Sequence, residues 1–159
     1  LVPVVGFQDS VENVANCPFK KGGNVMRWYF VEVDANDDSL ESCRRLLGDI
    51  VSQNHNSKRK MDAGIMVLNN LPKEGPRDIY TFIEKINQFP NTKHLKIYAT
   101  TFTLLRHFAI HIKKNEYSID DLLFNMTSEQ PQQYIDKLVS KGIVDGSMKD
   151  HIFEYKKQL

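Results

Sequence analysis

Residues Ala63–Leu68 read AGIMVL, and the turn-forming sequence Asn69-Asn70-Leu71-Pro72 follows them directly. A short apolar run that ends in turn-forming residues predicts a strand. Before this run, apolar residues recur at helical spacing from Leu40 to Val51, and the same spacing returns from Ile79 to Ile86. A strand between two amphipathic helices is the repeating unit of a parallel sheet. The stretch therefore predicts an α/β fold.

The same alternation extends over the whole chain and predicts five strands, each followed by an amphipathic helix. The predicted strands are Leu1–Phe7, Val25–Val33, Ala63–Leu68, His94–Ala99 and Ile119–Phe124. This pattern predicts a three-layer α/β sandwich with a five-stranded parallel sheet of repeated βα units. Residues 1–142 form the five βα units, and residues 143–159 form a C-terminal extension with a short helix. All 159 residues are interpreted as a single domain.

The composition excludes several classes of protein. Hydrophobic residues make up 41% of the chain and charged residues 26%, and the formal net charge is +1, so no charge excess indicates a nucleic acid or an anionic membrane as partner. No apolar run approaches the roughly 18 residues that a membrane span requires, so no membrane insertion is expected. Cys17 and Cys43 lack a metal-binding spacing and are too few for a disulfide framework. Free thiols indicate an intracellular protein, cytoplasmic or nuclear.

In an open α/β sheet, ligands bind beyond the carboxyl ends of the strands. The polar residues expected there form a candidate strand-end pocket: Asp9, Asp34, Asn69, Thr100, Thr101 and Asn125. No glycine-rich phosphate loop follows the first predicted strand, so no nucleotide cofactor is expected. His107 and His111 share one helical face, but Phe108 stands where a zinc protease has glutamate, so no metal site is expected. Asn125-Met126-Thr127 matches the N-glycosylation acceptor pattern, which is common by chance.

Three segments resemble the receiver domain of two-component response regulators. In Asp62–Gly75 (DAGIMVLNNLPKEG), the residues Leu68–Pro72 have the spacing of a receiver's phosphoacceptor strand end and its Met-Pro turn. Ile97–Thr101 (IYATT) is similar to the fourth strand with its switch Ser/Thr. Asp121–Lys141 is similar to the fifth strand, linker and last helix of that family. The resemblance covers most of the chain and implies that the five-stranded parallel sheet is of flavodoxin-like, receiver-like type.

The positions that carry receiver chemistry hold other residues in this chain. Leu68, or Val67 in a shifted register, stands at the phosphoacceptor position, and neither side chain forms an acyl phosphate. The paired acids that hold Mg²⁺ are reduced to Gln8-Asp9, and Asn125-Met126 stands where the family has lysine. Only the switch position, at Thr100-Thr101, is retained. The resemblance therefore implies a non-catalytic pseudo-receiver that serves regulation by protein–protein interaction in signalling.

Two other interpretations stay open at this point. The order of elements also resembles the core of AAA+ and related P-loop ATPases, with Ile65–Asn69 as the Walker B strand and Ile97–Thr101 as the sensor strand. Without a phosphate loop or an acid at the strand end, that resemblance implies a degenerate nucleotide-binding subunit of a nucleic-acid-processing complex. The third interpretation is an unrecognised α/β enzyme that uses Asp9, Asp34 and Thr100.

A domain without catalysis is expected to bind another protein or another domain of its parent chain. Basic and apolar groups mix within Thr103–Tyr117, and with Ser128–Ser140 this stretch forms the face that receivers present to partners. The candidate interface residues are Arg106, His107, His111, Lys113, Lys114 and Tyr134. The same helix carries residues that are alternatively expected to face the core: Leu104, Leu105, Phe108 and Ile112. A basic loop, Lys58, Arg59 and Lys60, is the candidate contact for nucleic acid.

Overall fold

The structure is a computed structural model that describes residues 29–34, 38–56, 61, 63–72, 78–113, 117 and 119–147. Within these ranges, the side chains of residues 110–113, 119 and 120 are not described. Several predictions fall outside the described residues. They concern the first strand with Asp9, the basic loop Lys58–Lys60, Lys114, Cys17 and the last short helix after Ser147.

The described residues form alternating strands and helices, as predicted. In chain order the elements are β1 (Tyr29–Val33), α1 (Ser39–Asn56), β2 (Ala63–Leu68), α2 (Ile79–Ile86), β3 (Lys96–Thr101), α3 (Phe102–Lys113), α4 (Ile119–Leu122), β4 (Phe124–Asn125) and α5 (Pro131–Ser140). The α/β class is therefore confirmed. The predicted bounds of β2 are those observed, because its apolar run is closed by turn-forming residues. No helix in the described ranges is long and apolar enough to cross a membrane.

The four described strands form one sheet in the order β1-β2-β3-β4. The first three are parallel, with Val33 opposite Val67 and Val67 opposite Thr100, whereas β4 runs antiparallel to β3. In a flavodoxin-like sheet, the first strand of the chain separates the second from the third. The prediction of that order is wrong, because β1 and β2, which are the second and third predicted strands, pair directly.

One face of the sheet packs against four of the helices. The main core cluster combines sheet residues such as Met66 and Ala99 with buried side chains from α1, α2, α3 and α5. Right-handed crossovers between strands in sequential order place successive helices on the same face, which explains this arrangement. The opposite face forms a second cluster: Ala63, Ile65, Val67, Tyr98 and Leu123. The described residues therefore show two layers, and the predicted three-layer sandwich is not seen in them.

The predicted fifth parallel strand, Ile119–Phe124, is wrong. Ile119–Leu122 forms the short helix α4, and only Phe124 and Asn125 join the sheet, in antiparallel orientation. A strand buried on both faces would enclose both of the adjacent carboxylates, Asp120 and Asp121. The helical turn instead leaves Asp121 exposed while Leu122 and Leu123 are fully buried.

The start of the predicted C-terminal extension belongs to the core. Ile143 and Val144 are 5% and 3% exposed and lie in the main cluster. Gly142, at φ 67, reverses the chain after α5 and brings them back against the helices. The core therefore continues past α5 into the first residues of this segment.

Candidate functional site

A buried carboxylate lies at the carboxyl end of β1. Asp34 is 1% exposed, and its backbone N–H donates to Val67 O over 3.0 Å, which continues the pairing of β1 with β2. Ser42 Oγ donates to Asp34 Oδ2 over 2.6 Å, and Arg45 Nη2 donates to the same oxygen. Both donors belong to α1. The carboxylate therefore fastens the first turns of α1 to the end of the strand.

A second carboxylate faces the same arginine. Glu32 is 5% exposed, and its Oε1 lies 3.3 Å from Arg45 Nε. The contact is an ion pair without a hydrogen bond, since among the described residues Arg45 Nε has no hydrogen-bond partner. Burial raises the pKa of the Glu32 carboxyl, an effect that Arg45 opposes and that Asp49 and Asp34 reinforce. The Arg45 guanidinium thus forms ion pairs with two buried carboxylates, those of Glu32 and Asp34.

The raised pKa of Glu32 predicts a pH-dependent stability. The folded protein holds this proton more tightly than the unfolded chain, so the Glu32 contribution favours folding at low pH. That contribution is lost as the pH rises above 4.5 and through the raised pKa. Glu32→Gln keeps the shape and removes the titration. We expect the stability of the variant relative to the parent to be greater at about pH 7 than at about pH 4.

Urea unfolding at several pH values measures this difference. Glu41→Gln is the matched control, because Glu41 lies on the surface 3.8 Å from Arg44, and exposed pairs contribute little. A difference between Glu32→Gln and the parent that stays constant from acid to neutral pH would contradict the pKa assignment.

Two adjacent threonines at the end of β3 differ in the hydrogen bonding of their hydroxyl groups. Thr101 Oγ1 accepts a hydrogen bond from Leu104 N over 3.1 Å and so caps the first turn of α3. Thr100 is fully buried on the other face, and its Oγ1 has no hydrogen-bond partner in the part of the chain that the structure describes. The prediction that both residues follow the strand is wrong, because β3 extends through Thr101.

The same substitution at these two positions is expected to change stability in opposite directions. Thr100→Val replaces an unpaired buried hydroxyl with a methyl group and should stabilise the fold by about 1 kcal/mol. Thr101→Val removes the cap and should cost about 1 kcal/mol. Equilibrium unfolding of the two variants tests the pair. Destabilisation by Thr100→Val would indicate that its hydroxyl has a partner.

Asn69 and Asn125 lie at two further positions of the predicted pocket. Asn69 is exposed directly after β2. Asn125 Oδ1 accepts hydrogen bonds from both the backbone N–H and the hydroxyl of Thr127, which closes a tight turn. The Asn125 backbone N–H donates to Glu129 Oε2 over 2.9 Å, and Glu129 in turn pairs with Lys137 over 2.6 Å. Asn125 therefore maintains the connection between β4 and α5.

The predicted strand-end residues do not converge on one site. Asp34 comes directly after β1 and lies on the helix-covered face of the sheet. Thr100 of β3 lies beside Val67 on the opposite face, and β2 separates β1 from β3. No group of three or more potential metal ligands occurs among the described residues. Burial raises the pKa of the Cys43 thiol to about 12, which keeps it protonated and unreactive. In the described ranges, the strand-end residues and Cys43 supply neither a paired acid and base nor an activated nucleophile.

The candidate interface is only partly exposed. Arg106 is exposed and His107 is half-buried on α3, while the side chains of His111 and Lys113 are not described. Tyr134 is fully buried, so its assignment to the interface is wrong. Its hydroxyl donates to Leu122 O over 2.6 Å, and burial and the nearby Glu129 raise the pKa of this phenol well above its usual value.

Two features of the surface and the strand end were missed from the sequence. The first is the network of Glu32, Ser42 and Arg45 around Asp34, signalled only by a charged residue within an otherwise apolar strand. The second is the exposure of Leu105, at 36%, and of Phe102, at 43%, on α3. Leu105 was expected to face either the core or a partner, whereas Leu104 and Phe108, each 1% exposed, fill the core.

Comparison with known proteins gave no relatives. No family model matches the chain. Neither the curated proteins nor the solved structures contain a match.

Proposed function

We propose that this chain is a non-catalytic protein-interaction domain with a regulatory role, which binds another protein or another domain of its parent chain. The observation that carries the proposal is that Asp34 and Thr101, two polar residues at the carboxyl edge of the parallel strands, are engaged within the fold. Asp34 anchors α1 and Thr101 caps α3 at this edge, whereas Asn125, opposite Tyr98 on the antiparallel strand β4, closes a turn away from it. A catalytic site needs such groups to be directed at a substrate.

The receiver-like positions support a non-catalytic role, although the strand order differs from a receiver's. Leu68, at the phosphoacceptor position, is 2% exposed, and Val67, the alternative position, is 5% exposed. Both residues have apolar side chains packed in the two clusters of the sheet. The proposal therefore rests on these residues and does not depend on descent from a receiver.

A degenerate nucleotide-binding subunit of a nucleic-acid-processing complex is the second candidate. It is supported by the direct parallel pairing of β2 with β3, which are the Walker B-like and sensor-like strands. Leu68 and Thr101 are register partners, so exposed Asn69 follows β2 beside the end of β3. An enzyme that uses Asp34 with Thr100 is less well supported, since these side chains belong to opposite faces of the sheet.

Thermal melting with three ligands tests the proposal. The protein is heated alone, with Mg²⁺–beryllofluoride, and with ATP or ADP, because a ligand that binds the folded state raises the melting temperature. The proposed function predicts no shift with any of them. A shift with beryllofluoride would indicate phosphate acceptance, and a shift with a nucleotide would favour the second candidate. Lysozyme melted with the same additives controls for general effects on water and ionic strength.

A further inference from the structure

The helix α3 has a second apolar stripe that faces away from the core. Phe102 is 43% exposed, Leu105 is 36% exposed and Ala109 is exposed, at spacings of three and four residues that place them on one side of the helix. Leu104 and Phe108 bury the other side. An ordinary surface helix buries its apolar face, so α3 is unusual in leaving an apolar stripe exposed beside the buried one.

The charge on this helix has one sign. Among residues 102–113 there is no Asp or Glu, whereas Arg106, His107, His111 and Lys113 are basic. Arg106 is exposed and lies one helical turn from both Phe102 and Ala109. An exposed aromatic ring beside an exposed arginine is the combination that interfaces favour. The outer side of α3 therefore offers apolar contact bordered by positive charge.

The combination of shape and charge selects one class of partner. From Phe102 to Ala109 the helix rises about 10 Å, which accommodates two turns of a facing helix. A second copy of α3 would bring like charges together, which disfavours a symmetric contact through this helix. A nucleic-acid backbone would leave the aliphatic Leu105 and Ala109 without apolar partners. A protein segment with leucine-type anchors and acidic flanks satisfies both features.

We propose that the outer face of α3, formed by Phe102, Leu105, Arg106 and Ala109, binds an acidic amphipathic helix of a partner protein. The apolar anchors of the partner cover Phe102 and Leu105, and its carboxylates pair with Arg106. This inference rests on the proposed function, because it names the partner chemistry for the interaction domain. It concerns a face that is separate from the carboxylate network of β1 and α1.

A pair of designed peptides tests the inference. Each has about 15 residues, enough for a marginal helix, with leucines on one face. One peptide carries glutamate at the remaining positions, and the other carries lysine at the same positions. Binding to the whole chain is followed by fluorescence anisotropy at about 50 mM and about 300 mM salt. We expect the glutamate peptide to bind at least about tenfold more tightly than the lysine peptide, with weaker binding at high salt.

Variants of α3 locate the contact. The double variant Phe102→Ala/Leu105→Ala should weaken binding of the glutamate peptide about tenfold. Arg106→Glu should weaken binding of the glutamate peptide and strengthen binding of the lysine peptide. Val51→Ala is the matched control, since Val51 is an apolar residue of α1 that is 51% exposed. It should leave both affinities unchanged. Urea unfolding of each variant separates loss of binding from loss of folding.

The outcomes distinguish the inference from the proposed function. Equal affinity for the two peptides, no binding of the glutamate peptide, or tighter binding of a labelled single-stranded oligonucleotide would overturn the assignment of this face. Those results would leave the proposed function standing if the three small ligands still produce no melting shift. A melting shift with nucleotide or beryllofluoride would overturn the proposed function itself, whatever the peptides do.

Discussion

Tyr134→Ala is expected to lower the free energy of unfolding by about 4 kcal/mol, as does truncation of a buried aromatic side chain in other cores. Tyr134 is fully buried, and its ring stacks on Phe124 with centroids 4.9 Å apart and an interplanar angle of 21°. Its hydroxyl donates to Leu122 O over 2.6 Å. The residue therefore holds α5 against both β4 and α4, and truncation leaves a cavity where the three elements meet.

Two companion variants separate the parts of this effect. Tyr134→Phe keeps the ring and removes the hydrogen bond, so we expect a loss of about 1 to 2 kcal/mol. Val139→Ala changes a side chain on the same helix that is 39% exposed, and should cost less than about 1 kcal/mol. Equilibrium urea unfolding measures all three. If Tyr134→Ala were as stable as the parent, the residue would be a surface group available to a partner.

Gly64→Val is expected to destabilise the fold by about 3 kcal/mol through overpacking. A Cβ atom at Gly64 would lie 2.7 Å from Leu46 Cδ2 and 2.8 Å from Ile50 Cδ1, closer than carbon atoms approach. The glycine therefore allows α1 to pack closely on the middle of the sheet. Valine favours strands by its own propensity, so a large loss at this position has to come from the crowding against α1.

Gly48→Ala, in the helix α1 that packs on Gly64, is expected to raise the free energy of unfolding, whereas Gly64→Val lowers it. Apart from its chain neighbours and the nearby helix backbone, no atom lies within 4 Å of a Cβ built at Gly48, which lies within α1. Alanine is favoured over glycine in a helix interior, so we expect stabilisation of about 1 kcal/mol. Thermal or urea unfolding compares the two variants. Destabilisation by Gly48→Ala, or none by Gly64→Val, would show that α1 packs on the sheet differently.

Local sequence patterns predicted the elements whose signals lie within a few residues. The run at Ala63–Leu68 has its end marked by turn-forming residues, and α1 is preceded by Asp38, a residue type that commonly caps helices. Asp38 Oδ1 indeed accepts a hydrogen bond from Glu41 N over 3.0 Å. In contrast, Ile119–Phe124 contains apolar residues at spacings that fit either a strand or a helical turn. The adjacent carboxylates favour the helical turn over the strand. This preference becomes clear only once the contacts of each face of the sheet are known.

The order of the strands in the sheet could not be predicted from hydrophobic periodicity. An alternation of strands and helices is compatible with several orders of parallel strands, because each crossover fixes the hand of a connection and not which strands become neighbours. The pairing of β1 with β2 therefore could not be predicted, and the flavodoxin-like order borrowed from the receiver resemblance was wrong.

The roles of the strand-end residues depended on partners distant in sequence. The position of Asp34 after β1 was predicted, but its donor Arg45 lies 11 residues further along the chain on another element. Likewise, Thr100 and Thr101 are indistinguishable as neighbours in the sequence. Only Thr101 lies on the helix-covered face of the sheet, where its hydroxyl caps α3. Sequence patterns thus located polar residues at the edge of the sheet without revealing that the fold itself uses them.

The free energy of unfolding of Asp34→Ala is the measurement that tests the central claim most directly. The claim is that the carboxyl edge of the sheet is structural, so removal of a carboxylate that is 1% exposed should cost about 2 kcal/mol in urea unfolding. Asp136→Ala, at an exposed position of α5, is the control and should change stability by less than about 0.5 kcal/mol. Unchanged or increased stability of Asp34→Ala would contradict the account, because residues held for chemistry are commonly replaced at no cost to the fold.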